Sequence, residues 1–481
     1  MRVLSIASEA YPLIKTGGLA DVAGALPAAL AREGVEVRTL LPGYPQVMVK
    51  LGQTETVHEY ANLFGGPARL IATKAAGLDL FVLDAPLLFN RPGNPYLGPD
   101  GKDWVDNAQR FAAFSRVGAD IAQGTATNFA PHLMHAHDWQ AAMSIAYLYY
   151  DFCARPGTVV TIHNLAFQGH FPGETFGSLN LPEHALSIGG VEYFGGVGFL
   201  KAGLLLADRI TTVSPTYARE ILTPEFGMAL DGLLNARSRV VHGIRNGIDD
   251  EVWNPATDPN LSSHFSTLRI DQRVGNRVAL QRRLGLDEDA DAPLFGVVSR
   301  LTSQKGLDLL LQVLPQILES GGQLALLGAG EPPLVEGFLT ASHARAGRVG
   351  CVIGYDEALA HLIQAGVDFL VVPSRFEPCG LTQLCALRYG ATPIVARVGG
   401  LADTIIDANE AALSAGLATG VQFYPPTAGE LSDAVRRALA IHANPAAMRR
   451  MRLNGMRADV SWRGPAKRYA ELYRSIASDR A

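Results

Sequence analysis

Cysteine is scarce in this chain, and the few thiols do not cluster. The four cysteines, Cys153, Cys351, Cys379 and Cys385, show no C-x-x-C spacing. That argues against a structural zinc or disulfide framework and suits free thiols in a reducing cytosol, so a cytoplasmic protein is expected. Long hydrophobic runs are also missing. No segment approaches ~18 uninterrupted apolar residues, so no membrane span is expected. The first short apolar run is broken by Glu9 and then Lys15, which reads as a buried strand and not as a signal or transit peptide. There is no long basic block, and the net charge is -5. Both features speak against general binding of nucleic acid or anionic membrane, so any anion site has to be local.

Glycine, by contrast, is plentiful. Many of the 50 glycines fall where apolar runs end, a placement that suits backbone-built ligand loops as well as tight turns. A chain of 481 residues exceeds one ordinary core, and two domains are expected. Short β-rich runs at 3–7, 35–41, 78–83, 133–135 and 159–162 alternate with helical patterns such as 20–32 and 106–123. The alternation restarts at 294–298 and continues at 323–327, 349–353, 369–372 and 392–395. Strand, helix, strand with short connections implies right-handed crossovers and parallel sheets covered on both faces. The expected fold is therefore α/β, with two doubly wound, Rossmann-like domains whose ligands sit at the carboxyl ends of the strands. The first domain is expected over 1–245 and the second over 246–460. Residues 461–481 read as a final helix, with Tyr469, Leu472, Tyr473 and Ile476 on one face, packing back on the first domain.

Five strand-end segments carry residues suited to chemistry. Lys15-Thr16-Gly17-Gly18-Leu19 follows the first strand and opens a helix. Its glycines admit close backbone approach, its N–H groups suit an anion, and Lys15 adds a charge for a phosphate. His135-Ala136-His137-Asp138-Trp139 does not have a usual zinc spacing, so no metal site is expected there. Asp138 is placed either to accept hydrogen bonds from hydroxyls in a polar cleft or to cap the following helix. His163 and Asn164 lie together at another strand end. In the second half, Arg300 and Lys305 are two cations five residues apart, a spacing suited to gripping a diphosphate. The most specific segment runs from Ser374 through Arg375, Phe376, Glu377, Pro378, Cys379, Gly380 and Leu381 to Thr382. Its last three residues would turn helix-terminal N–H groups toward a phosphate, and Glu377 would accept from sugar hydroxyls.

Segments 15–19, 135–139, 163–169, 246–249, 299–306, 374–382 and 399–403, in that order, resemble the motifs of bacterial glycogen synthases and plant starch synthases. The resemblance covers essentially the whole chain. It implies the GT-B glycosyltransferase fold with an active site in an interdomain cleft. It implies ADP-glucose as co-substrate and a glycogen-type α-1,4-glucan as acceptor, extended at its non-reducing end with the anomeric configuration retained. No metal or other cofactor is implied. By the same resemblance Lys15, Gly17 and Gly18 form the donor loop, and Arg300, Lys305 and the backbone of Cys379, Gly380, Leu381 and Thr382 meet the diphosphate. Glu377 holds the glucose, Asp138 and His163 contact the transferred sugar and acceptor, and Asn164 lies among the substrate contacts. Asn246 and Tyr355 belong to the nucleotide side and the cleft, and Tyr96 to the acceptor region. Many retaining GT-B enzymes carry a second glutamate eight residues after the first, and here that position is Cys385. Two alternatives remain: a GT-B transferase using UDP-glucose or another sugar nucleotide, and a non-catalytic glucan-binding regulator. The second requires a lost reactive group, yet Lys15, Asp138, His163, Arg300, Lys305 and Glu377 are all present.

Overall fold

The apolar runs become strands buried on both faces because helices cover both sides of each sheet. The computed structural model describes residues 1–151 and 155–479, so Cys153 lies outside the described residues. The chain divides into two compact units, one formed by residues 1–246 with the segment from Trp462 onward, the other by Gly247–Ser461.

The first unit holds β1 (Arg2–Ile6), β2 (Glu36–Pro42), β3 (Thr54–Leu63), β4 (Gly66–Ala75), β5 (Leu78–Asp84), β6 (Leu133–His137) and β7 (Gly157–Ile162). It continues with β8 (His170–Phe171), β9 (Glu192–Tyr193), β10 (Gly196–Gly198), β11 (Arg209–Thr212) and β12 (Val241–Gly243). Nine of these form one sheet in the order β12-β11-β7-β6-β1-β2-β5-β4-β3. All pair in parallel except β4 and β3, which add an antiparallel hairpin at one edge. Every residue of β6 and β7 is buried, as expected for central parallel strands. The last helix, Arg463–Ser478, buries Tyr469, Leu472, Tyr473 and Ile476 in a cluster with Val3, Leu133 and Val159. β8, β9 and β10 form a separate small sheet.

The second unit holds β13 (Leu294–Val298), β14 (Gln323–Gly328), β15 (Val349–Ile353), β16 (Phe369–Val372), β17 (Thr392–Ala396) and β18 (Val421–Phe423). They form one all-parallel sheet in the order β15-β14-β13-β16-β17-β18. The helix Leu307–Glu319 repeats leucine and its relatives at helical spacing and turns Leu307, Leu310, Val313, Leu314 and Ile317 into the core. Strand order reverses between β13 and β16, paired through Phe295 and Phe369. That reversal is the place where an open α/β sheet receives ligands, in the crevice beyond its carboxyl strand ends.

Candidate functional site

In the first unit, β6 runs directly into the helix Asp138–Tyr150. The abrupt turn forces Asp138 to φ +56°, a region that non-glycine residues seldom occupy, although Asp tolerates it better than most. The capping role left open by the sequence is not what Asp138 performs. His137 holds the cap position, with no side-chain cap bond. The Asp138 carboxyl instead crosses to the end of β7, where Oδ1 accepts the His163 N–H at 2.7 Å and the carboxyl also takes the Asn164 backbone N–H. Asp138, His163 and Asn164 are thus brought together. Burial raises the Asp138 carboxyl to about 8, with a smaller contribution from nearby Glu9. At neutral pH it therefore carries an O–H that can donate to a hydroxyl oxygen.

Three histidines lie behind Asp138. His137 Nδ1 is 2.9 Å from His163 Nε2, and His135 bridges Thr161 Oγ1 at 2.5 Å and the Tyr473 hydroxyl at 2.8 Å. Burial holds His135 and His163 well below the usual imidazole range and brings His137 down to about 3. These rings are neutral, so each can offer one donor and one acceptor to the chain of contacts. Among the described residues, no group of three or more His, Cys, Asp or Glu is arranged to hold a metal ion.

The Lys15–Gly18 loop is engaged with its own protein. Lys15 Nζ is 2.9 Å from Asp21 Oδ1, in the first turn of the helix Gly18–Ala31. The buried Glu9 carboxylate accepts the Thr16 hydroxyl at 2.6 Å, the backbone N–H groups of Thr16 and Gly17, and the Tyr96 hydroxyl. Tyr96 also lies 2.8 Å from Ser8 Oγ. Glu9 carries no motif that marks it in the sequence. The available signal was an acid just after β1 and ahead of a Gly-Gly turn, which reads first as the end of an apolar run. Asn246 is buried at the end of this unit, and its Oδ1 has no partner among the described residues.

In the second unit the loops after β13 and β16 lie side by side. Glu377 is buried, and its Oε2 takes Lys305 Nζ at 2.5 Å and Ser374 Oγ at 2.9 Å. Two glycines permit this closeness. Gly306 has φ +67°, and a Cβ there would lie 2.0 Å from the Pro373 carbonyl oxygen. A Cβ on Gly400 would lie 2.2 Å from the Cys379 carbonyl oxygen, and Gly400 N–H itself donates to the Glu377 carbonyl at 3.0 Å. Gly380, Leu381 and Thr382 lead into the helix Thr382–Arg388, and their N–H groups donate to no described residue. The Gln383 amide draws the Cys379 and Gly380 carbonyls inward, at 3.0 and 2.8 Å.

Arg300 is exposed at the start of the β13 loop, and its guanidinium makes no hydrogen bond to a described residue. Cys379 is buried and in no disulfide, and Cys385 packs in the apolar core. Tyr355 stands apart from the Lys305–Glu377 pair. It follows β15, two strands from β13, is 74% exposed, and donates its hydroxyl to the Glu357 carboxylate.

Two Rossmann-type sheets with polar loops at their carboxyl ends, one bearing paired Lys and Glu, fit a glycosyltransferase of the GT-B fold, the class to which the matching family models and solved structures belong. Residues 2–236 match the family model for a starch synthase catalytic domain, and residues 282–455 match that for glycosyl transferases group 1. A glycogen synthase from Methylocella silvestris is 61% identical over 478 residues, covering 99% of each chain. A glycogen synthase from Acidiphilium cryptum is 57% identical over 478 residues, covering 99% of this chain and all of its own. Among solved structures, the catalytic domain of starch synthase IV from Arabidopsis thaliana, bound to ADP and acarbose, superposes with a TM-score of 0.90 at 32% identity over 99% of both chains. A sucrose-phosphate synthase from Thermosynechococcus elongatus shares the fold at 19% identity, with a TM-score of 0.61 and 99% of both chains covered. The chain belongs to the glycogen synthase and starch synthase family.

Proposed function

We propose that this chain transfers glucose from ADP-glucose to the non-reducing end of an α-1,4-glucan, releasing ADP and retaining the anomeric configuration without a metal. The observation that carries the reading is the Lys305–Glu377 pair at 2.5 Å, with Glu377 on the same loop as the N–H groups of Gly380, Leu381 and Thr382, which donate to no described residue. Departure of the sugar puts negative charge on the diphosphate. Arg300, Lys305 and those N–H groups meet that charge, each charge-assisted bond contributing about 1.5–3 kcal/mol. Glu377 accepts from glucose hydroxyls and stabilises the positive charge that develops on the sugar ring.

Retention then follows a front-face route. The bond from C1 to the leaving phosphate oxygen breaks, the acceptor O4 bonds to C1 on the same face, and the acceptor proton passes to that phosphate oxygen. A covalent route through a second carboxylate eight residues on has no carboxylate to use, because that position is the core residue Cys385. Protonated Asp138, with His163 and Asn164 beside it, supplies hydrogen bonds to the transferred sugar and acceptor. ADP and acarbose in the starch synthase IV structure support the nucleotide and the glucan as ligand classes.

The net charge of -5 supports a small-molecule and glucan clientele over nucleic acid. No helix among the described residues is long and apolar enough to cross a membrane. Cys351, Cys379 and Cys385 form no disulfide, which suits a cytoplasmic enzyme.

The test is glucan labelling and nucleotide release with ADP-glucose and UDP-glucose, each with EDTA present. Incorporation from ADP-glucose that survives EDTA and is lost in Glu377→Ala supports the reading. Preference for UDP-glucose reassigns the donor, and glycogen binding with no incorporation from either donor overturns the reading.

A further inference from the structure

Lys305 and Glu377 stand on different loops, so their action on one sugar phosphate depends on how firmly those loops are held together. We infer that Arg375 is a positioning residue that braces the Lys305 loop against the Glu377 loop through Asp308, an inference that rests on the function proposed above for that pair. Arg375 lies two residues before Glu377 and Asp308 three residues after Lys305, in the first turn of the helix Leu307–Glu319. The guanidinium grips Asp308 with both terminal nitrogens at 2.7 Å, one to each carboxylate oxygen, and donates from Nη1 to the Ser303 carbonyl at 2.5 Å. The Arg375 backbone N–H donates to the Gln304 carbonyl at 2.9 Å. The Gln304 side chain returns a longer bond, 3.4 Å, to the Phe376 carbonyl.

The result is a zipper of four links across the two loops, and the guanidinium fork is the link that fixes both distance and orientation. With three of its five N–H groups committed to protein acceptors, Arg375 is tied into the protein, whereas Arg300 is open to a phosphate. It is an arginine and not a lysine for the same reason: an ammonium cannot hold both Asp308 oxygens and the Ser303 carbonyl in one plane.

Exposure separates this role from a stabilising one. The side chains of Arg375 and Asp308 are 36% and 35% exposed, and ion pairs that open to solvent contribute little to global stability. A brace, however, matters to reaction geometry, where a shift of about 1 Å costs on the order of 100-fold in rate.

The experiment compares wild type with Arg375→Ala, Arg375→Lys, Asp308→Ala and the Arg375→Ala/Asp308→Ala double variant. kcat is expected to fall by about 10- to 100-fold in each, with a smaller change in KM for ADP-glucose and a nearly unchanged melting temperature. The double variant should lose no more than the worse single variant, since one link is being cut twice. A kcat within twofold of wild type in Arg375→Ala, or losses that multiply in the double variant, overturns the brace. A rise in KM alone does so as well, because it makes Arg375 a direct substrate contact. Amide hydrogen exchange over 299–306 and 374–377 supplies a readout without turnover. Faster exchange in Arg375→Ala is expected even if the wild-type chain proves inactive with ADP-glucose, and unchanged exchange contradicts the brace whatever the activity.

Discussion

The Lys305 ammonium lies 2.5 Å from Oε2 of Glu377, although the two residues are 72 apart in sequence. Adjacent parallel strands bring their loops together, and Ser374 Oγ, at 2.9 Å, completes the contacts of the same oxygen. A cation for the leaving group and a carboxylate for the sugar therefore occupy one corner. Lys305→Met and Glu377→Gln are each expected to lower kcat by about 10²–10³-fold, the scale of removing one charge-stabilising group. Steady-state kinetics of both variants and the double variant check this, with strongly non-additive losses expected for a pair acting as a unit.

Asp138 sets a pH-dependent stability. Its carboxyl rises from 3.8 to about 8 on folding, chiefly through burial. Between those values the folded protein binds more protons than the unfolded chain. The stabilising contribution is thus full below pH ~4 and declines by about 1.4 kcal/mol per pH unit as pH rises toward 8. Asp138→Asn removes this dependence. Its denaturant midpoint is expected to match wild type only at pH ~4 and below and to exceed it increasingly as pH rises toward 8, while transfer activity falls. A constant difference across that range contradicts the assignment.

The buried histidines act with opposite sign. His137 falls from 6.5 to about 3 because burial disfavours the charged ring. The stability this gives is present above pH ~6.5 and is lost progressively as pH falls toward 3. His137→Gln keeps hydrogen-bonding groups without a titrating ring, so the acid side of its stability profile should be shallower than that of wild type.

Glu9 holds the Lys15–Gly18 loop from below through Thr16, Gly17 and Tyr96. If that loop receives the donor, Glu9→Ala should raise KM for ADP-glucose by about tenfold or more, given the usual worth of hydrogen bonds to a charged group. Glu9→Gln, which keeps the shape and loses the charge, should fall between. An unchanged KM in both would mean that the carboxylate fills the loop without shaping it.

Gly306 tests the backbone that carries Lys305. Its positive φ and the 2.0 Å approach to Pro373 leave no room for a side chain. Gly306→Ala should cost at least ~1–3 kcal/mol in a denaturant melt.

The sequence exposes the parallel strands most clearly, because β13, β14, β16 and β17 are short apolar runs buried on both faces. It hides the β3–β4 hairpin, where about half the residues face solvent and Phe64 takes the first of the turn's two positive-φ positions, ahead of Gly65. β8 and β9 have two residues each, too short for any periodicity. The loops bearing Asp138, Lys305 and Glu377 are legible as strand ends. Their partners are less so, since pairings such as Arg375 with Asp308, 67 residues apart, depend on side-chain reach that no local pattern encodes. The left-handed Asp138 could not be read either, because its turn is imposed by β6 meeting a helix with no intervening loop.

The most direct test of the central claim is the linkage formed during turnover. Glycogen primer is incubated with ADP-glucose labelled in the glucose, and the purified polymer is digested from its non-reducing ends with β-amylase. Retaining transfer from ADP-glucose is expected to give labelled polymer whose label is released as maltose, since only an α-1,4 bond formed with retention permits that cleavage. Label that stays in the polymer after exhaustive digestion, or no label incorporated at all, would contradict it.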